Sequence, residues 1–143
     1  MSRPVRRIAL CAAALALAGS ATAEAALIRF ATPSRNIGCI AVAGASIRCD
    51  IRQTDAAIPR RPAGCEQDWG NAYEIGRRAA RGRGVCAGDT ALPAPGERIR
   101  IVAYGATIRI RNGLRCTSTR RGLTCLNLRA HGFFLSKQKI RLF

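Results

Sequence analysis

The chain has 143 residues, with 22 Arg and 2 Lys against 8 Asp and Glu, seven Cys and a single His, and its formal charge is +16. That length holds one domain. One His excludes a metal site built on two histidines of the same chain, and an aromatic content of 5 % excludes both a large aromatic core and a broad stacking platform.

Arg3, Arg6 and Arg7 precede an uncharged apolar run from Ile8 to Ala18. Small residues follow, with A-x-A patterns at Ala21–Ala23 and Ala23–Ala25. This is the form of a secretory signal peptide over residues 1–23, with cleavage after Ala23 or Ala25. The run is about half the ~20 residues a membrane helix needs, and Leu10 is too large to precede a lipid-bearing Cys11. Removing residues 1–23 takes three Arg and no acid, which lowers the charge from +16 to +13 and leaves Cys39, Cys49, Cys65, Cys86, Cys116 and Cys125. An even number of cysteines in a short exported chain reads as a disulfide framework. No two of them have C-x-x-C spacing and His131 is alone, so no metal is expected, nor any cofactor. The expected location is periplasmic or secreted. Residues 24–29 form a short lead, and residues 30–143 form one domain.

Strand register selects the cysteine pairs. A hairpin turning near Ala43-Gly44-Ala45 sets Cys39 opposite Cys49, Ile37 opposite Ile51 and Ala41 opposite Ile47. All six share one face, while Arg48, Asp50 and Arg52 take the other. A one-residue slip would bury the charges. Residues 106–127 read as a three-stranded meander. A three-residue loop, Arg111-Asn112-Gly113, places Ile110 opposite Leu114 and Ile108 opposite Cys116, with Gly113 left-handed. The turn Thr119-Arg120-Arg121-Gly122 then sets Cys116 opposite Cys125. By elimination, Cys65 pairs with Cys86.

Pro59-Arg60-Arg61-Pro62 and Leu92-Pro93-Ala94-Pro95-Gly96 are stiff connectors. Between them, Asn71 and Glu74 resemble a helix cap, and Ala72, Ile75 and Ala79 have helical spacing. Gly76, Gly82 and Gly84 oppose a helix, and a short strand over 72–76 followed by an irregular Arg/Gly loop is expected. Ile99 and Ile101 alternate with Arg98 and Arg100, which predicts a strand over 98–104. The expected fold is all-β: a small antiparallel sheet or meander of short strands held by three disulfides.

A series of landmarks runs along this framework: Asn36-Ile37-Gly38-Cys39, Arg48-Cys49-Asp50-Ile51, Asp68-Trp69-Gly70 and Cys86-Ala87-Gly88-Asp89-Thr90. Tyr104-Gly105, Gly122-Leu123-Thr124-Cys125-Leu126-Asn127, His131-Gly132-Phe133 and the final Leu142-Phe143 complete it. From about residue 30 onward, the chain resembles an uncharacterised family of small exported bacterial domains, known only as a domain of unknown function. The resemblance implies an exported, disulfide-bonded domain and carries no activity. The family commonly has Gly before His-Gly-Phe, where this chain has Ala130.

The candidate binding residues are Arg109, Arg111, Arg115, Trp69 and His131. His131 has the chemistry of a general base or ligand contact. The plainer alternative is a ring nitrogen bonded to a backbone carbonyl while Gly132 lets the strand turn. Trp69 is either a binding lip or the core of the small domain. Asp89 is expected to cap a turn through its carboxylate, and Asp50 to face solvent. Oxidised cysteines and the lack of a Gly-x-Ser-x-Gly elbow leave no coherent catalytic set, and no catalytic residue is assigned. From Arg98 to Phe143 there are eleven Lys and Arg and no acid. Alternation gathers Arg98 and Arg100 on one face, and Arg109, Arg111 and Arg115 on another. Guanidinium forks match phosphates and carboxylates, and a field of one sign draws anions. An Arg-rich, Ala-rich composition also arises from GC-rich coding alone. Few aromatics argue against nucleic-acid readout. The expected function is a monomeric, non-enzymatic binding or interaction domain with an anionic envelope partner. The alternatives are a small hydrolase using His131 with an acidic residue and water, or a secreted inhibitor or antimicrobial effector.

Overall fold

A computed structural model describes residues 26–143. The expected signal peptide and both cleavage points lie outside the described residues. The strands are β1 (Leu27–Ala31), β2 (Ile37–Val42), β3 (Ser46–Ile51), β4 (Ala72–Gly76), β5 (Arg83–Gly84) and β6 (Arg100–Ile101) in the first half. In the second half they are β7 (Thr107–Arg109), β8 (Arg115–Thr119), β9 (Gly122–Leu126), β10 (Gly132–Leu135) and β11 (Ile140–Leu142). β1 takes in residues 27–29 of the expected lead. The first sheet has the order β5-β4-β3-β2-β1-β6 and the second β11-β10-β9-β8-β7. Every pairing is antiparallel except β1 with β6.

Period-two alternation turns one apolar face of each sheet toward the other. Phe30, Cys39, Cys49 and Tyr73 line the inner face of the first sheet, and Ile108, Cys116, Cys125 and Phe133 that of the second; together they form one buried core. The hairpin registers are those predicted: Cys39 faces Cys49, Ile37 faces Ile51, Ile108 faces Cys116 and Cys116 faces Cys125. The amide of Ile110 donates to the carbonyl of Leu114 at 2.7 Å, across a loop in which Asn112 and Gly113 both have positive φ. Cys39–Cys49, Cys65–Cys86 and Cys116–Cys125 are disulfides. Two of them meet in the core, where the Sγ atoms of Cys49 and Cys125 lie 3.7 Å apart. Burial among these groups pushes the Tyr73 phenol up to about 12, and its hydroxyl donates to the Gly70 carbonyl at 2.8 Å.

The structure corrects three expectations. The strand over 98–104 shrinks to Arg100–Ile101. β6 pairs only with β1, and it is Val102 that enters the core while Ile101 stays 43 % exposed. Only Arg100 and Ile101 come into register with Phe30 and Ala31 of β1 at this sheet edge. Asp50 does not face solvent: it is fully buried. The outer face of β2–β3 is covered by residues 89–93. A side chain at Gly38 would come 2.6 Å from the Ala91 carbonyl, so only glycine lets this connector lie flat on the sheet. Asp50 accepts two hydrogen bonds from Arg48, at 2.9 Å each, and further bonds from the Thr90 hydroxyl and the Ala91 amide. Asp89 does not cap its own turn; its carboxylate accepts from Arg48 at 2.6 Å. The Leu92 amide is capped instead by the Thr90 hydroxyl. Burial opposes the Arg48 charge, but the bonds to Asp50 and Asp89 outweigh it and hold its pKa above the usual value. The same Arg48 hydrogen bond holds the exposed Asp89 carboxyl below its usual range.

Two outcomes follow from this packing. Asp50→Ala leaves the Thr90 hydroxyl and the Ala91 amide without their acceptor and Arg48 with Asp89 alone, and should cost about 3 kcal/mol, read as a fall in Tm of roughly 10 °C by calorimetry. Tyr73 has a folded pKa above its unfolded value of 10, so its contribution is complete below pH 10 and falls as pH rises toward 12. Urea titrations should therefore show a loss of roughly 1 kcal/mol by pH 11, absent in Tyr73→Phe.

Candidate functional site

Antiparallel pairing sends the chain reversals to two opposite ends of the sandwich. One end carries the β1–β2 turn, the exit of β3, the β8–β9 turn and the β10–β11 turn. Side chains tie these reversals down. Thr32 Oγ1 accepts from the Ile37 amide at 3.3 Å, and Asn36 exchanges two 3.0 Å bonds with the backbone of Gln53. Thr119 Oγ1 accepts from the Arg121 amide, and Ser136 Oγ from the Lys139 amide.

Between these turns lies a cleft of about 480 Å³ lined by five cations, Arg35, Arg52, Arg120, Arg121 and Lys137, and by no carboxylate. Hydroxyls of Thr32, Ser34 and Ser136, and the amides of Asn36, Gln53 and Gln138, fill the spaces between the charges. Three of the guanidinium groups are held in place. Arg35 donates to the carbonyls of Glu97 at 2.9 Å and Ala94 at 3.4 Å, and Arg52 to that of Pro93 at 3.1 Å. Arg120 sits over the Tyr104 ring at 5.2 Å from its centre. A guanidinium has five N–H donors, so each keeps some for a ligand. Lys137 lies 3.9 Å from Asp55. Arg35 has a φ of 56°, a left-handed conformation costing an ordinary residue roughly 1–2 kcal/mol. Glycine or asparagine would fit that turn more cheaply; an arginine there carries its charge at the expense of its backbone.

None of the five residues singled out from the sequence lines this cleft. Arg109 and Arg115 face each other on the outer surface of the second sheet, where like charges in direct register repel. Arg111 lies in the loop at the opposite end. Trp69 is half-buried and outside the central core: its Nε1 donates to the Pro59 carbonyl at 2.7 Å and its ring lies against Gly84. It lines a neighbouring concavity with Ile58, Gly70 and Asn71. His131 is placed through its backbone. Its amide donates to Asn127 Oδ1 at 3.1 Å and its carbonyl accepts from the Asn127 amide at 2.9 Å. Asn127 is fully buried and ties this turn to Gly76 and Ala79 through its Nδ2. Among the described residues, no carboxylate is ion-paired with the His131 ring, and no hydrogen bond from that ring to a backbone carbonyl is formed. The sulfurs of Cys39, Cys49 and Cys125 lie within 4.8 Å of one another, but each is in a disulfide and offers no thiolate for a metal.

The cleft residues were missed because each stands in a turn, separated in sequence by up to a hundred positions. The available signal was topological: Arg35, Arg120, Arg121 and Lys137 all occupy reversals that share one end. Comparison with family models matches residues 9–143 to a family of unknown function, DUF6636. The chain belongs to that family. Comparison with curated proteins and with solved structures finds no match. No helix among the described residues of this DUF6636 domain is long and apolar enough to cross a membrane. Its three disulfides fit an oxidising compartment.

The Asn127 turn also explains the Gly that the resembled family carries before His-Gly-Phe. Ala130 has a φ of 62° and is exposed, so its position asks for left-handed backbone and not for space. Ala130→Gly should therefore raise stability by about 0.5–1 kcal/mol, seen as a higher Tm with an unchanged amide spectrum outside residues 127–132.

Proposed function

We propose that this protein is an exported, non-enzymatic binding domain whose partner is an anionic component of the cell envelope, held in the basic end cleft. The observation that carries the reading is the concentration of five cations, without a carboxylate, in one concavity bounded by side-chain-capped turns. A cleft lined by one sign of charge focuses its field on an entering anion. Arg35, Arg52 and Arg120 are already oriented, so less side-chain freedom is lost on binding. The strained backbone at Arg35 supports the same reading, since a stability-optimised turn would not use arginine. The signal-like leader and the disulfides support export.

The test uses inorganic pyrophosphate as the probe, titrated at 150 mM salt and followed by arginine Nε and backbone NMR shifts. Saturable shifts confined to Arg35, Arg52, Arg120, Arg121 and their turns are expected. Arg120→Ala/Arg121→Ala should weaken binding at least ~10-fold, whereas Arg109→Ala/Arg115→Ala, which removes the same charge from the sheet face, should leave it within about twofold. Arg35→Gly should weaken binding while keeping Tm, because relief of the left-handed backbone offsets the two lost side-chain bonds. Unsaturable shifts spread over all the arginines would sink the proposal.

A further inference from the structure

The end cleft does not stand alone. Two neighbouring concavities share its lining residues. On one side, a concavity of about 440 Å³ shares Arg52, Gln53 and Lys137 with it and contains Trp69 and one carboxylate, Asp55, which lies 3.9 Å from Lys137. On the other side, one of about 510 Å³ shares Thr119 and Arg121 and contains Phe134, Lys139 and Arg141. The three are therefore adjacent, with Trp69 in one, Tyr104 in the central cleft and Phe134, on the outer face of the second sheet, in the third, and we treat them as the sections of one groove. Each section has one aromatic ring.

The rings are set differently from core aromatics. Trp69 rests on Gly84 and is fixed by its bond to Pro59. Phe134 is half-buried and its ring tip lies against Gly122, where an added side chain would come 2.7 Å from it. Tyr104 is 39 % exposed. Cations line the same sections as the rings: Arg52 and Lys137 are shared by the Trp69 and Tyr104 sections, Arg121 by the Tyr104 and Phe134 sections, Arg120 stacks on Tyr104, and Lys139 and Arg141 lie with Phe134.

Resting on the reading of the cleft as an anion site, we infer that the groove binds a linear acidic polysaccharide, a chain of sugars bearing carboxylate, sulfate or phosphate groups. The chemistry of the lining selects this class. A pyranose ring offers an apolar face of C–H groups that packs on an exposed aromatic ring. Its hydroxyls are donors and acceptors matched by Ser34, Asn36, Gln53 and Gln138. Its acidic substituents recur along the chain, as do the guanidinium and ammonium groups along the groove. A compact anion would fill the central cleft and leave Trp69 and Phe134 unused. A single-stranded nucleic acid also pairs recurrent charge with stacking, but its bases need successive ring platforms, whereas here three rings are spaced by hydroxyl- and amide-rich stretches suited to a polyhydroxylated ligand.

The experiment is calorimetry with the disulfide-bonded protein against oligogalacturonates of two, four, six and eight sugars, the uncharged methyl esters of the same oligomers, and oligothymidylate of matched charge. Affinity should rise at least ~30-fold from the disaccharide to the hexasaccharide as neighbouring sections engage together, and then level off. The methyl esters should bind at least ~10-fold more weakly than the acids. Trp69→Ala and Phe134→Ala should each flatten the length dependence while leaving the disaccharide and pyrophosphate affinities in place. Arg121→Gln, at an exposed turn where folding is undisturbed, should lower affinity for every length. A hexasaccharide that binds no tighter than the disaccharide, with pyrophosphate still bound, overturns the groove and keeps the cleft. Tighter binding of oligothymidylate overturns the glycan assignment. Loss of pyrophosphate and oligosaccharide binding together overturns both readings.

Discussion

The fold rests on a contact between sulfurs. Cys39–Cys49 joins the central pair of strands in the first sheet, Cys116–Cys125 joins two strands of the second, and the two bridges meet with 3.7 Å between Cys49 and Cys125. Each bridge closes a loop of about ten residues, worth roughly 3 kcal/mol in the chain-entropy account. Their meeting does more than add those terms. Sulfur is compact and polarisable, so the sheets approach closely at their centre without large aromatic side chains, of which this sequence has few. Phe30, Tyr73 and Phe133 then pack around this centre.

With the centre fixed, the charge is forced outward, and the fold treats it in two ways. Where a guanidinium must lie against the sheet, as Arg48 does, it is matched by a buried carboxylate and by the Asp89 loop that folds over it. In the end cleft the cations outnumber the acids, with Asp55 beside Lys137 at its edge. The last 46 residues contain no Asp or Glu, and in the basic cleft they meet Arg35 and Arg52 from the first sheet. The groove is thus a product of two sheets that each contribute turns to one end.

The legible and illegible parts of the sequence divide along contact order. Cys39 and Cys49, or Ile108 and Cys116, are set opposite each other by alternation and a turn of a few residues, and local patterning fixes such pairs. Asp50 defeated the same reasoning. Alternation put it correctly on the outer face, but whether that face is wet depends on a connector forty residues away, admitted by the missing side chain at Gly38. Val102, and not Ile101, turns into the core because a short edge strand takes its frame from its partner and not from its own pattern. Trp69 invited attention as a lone indole, yet its place depends on the Pro59 carbonyl and on Gly84, ten and fifteen residues away.

The sequence by itself determined the all-β class and the register of both cysteine hairpins, because these depend on period-two alternation and short loops, and with two pairs so placed the third disulfide, Cys65–Cys86, followed by elimination. Only the tertiary structure decided which reversals share an end, which outer face is covered, and therefore that Arg35, Arg52, Arg120, Arg121 and Lys137 face one cleft. The relative placement of two stacked sheets is set by packing between residues far apart in the chain, and no local periodicity encodes it.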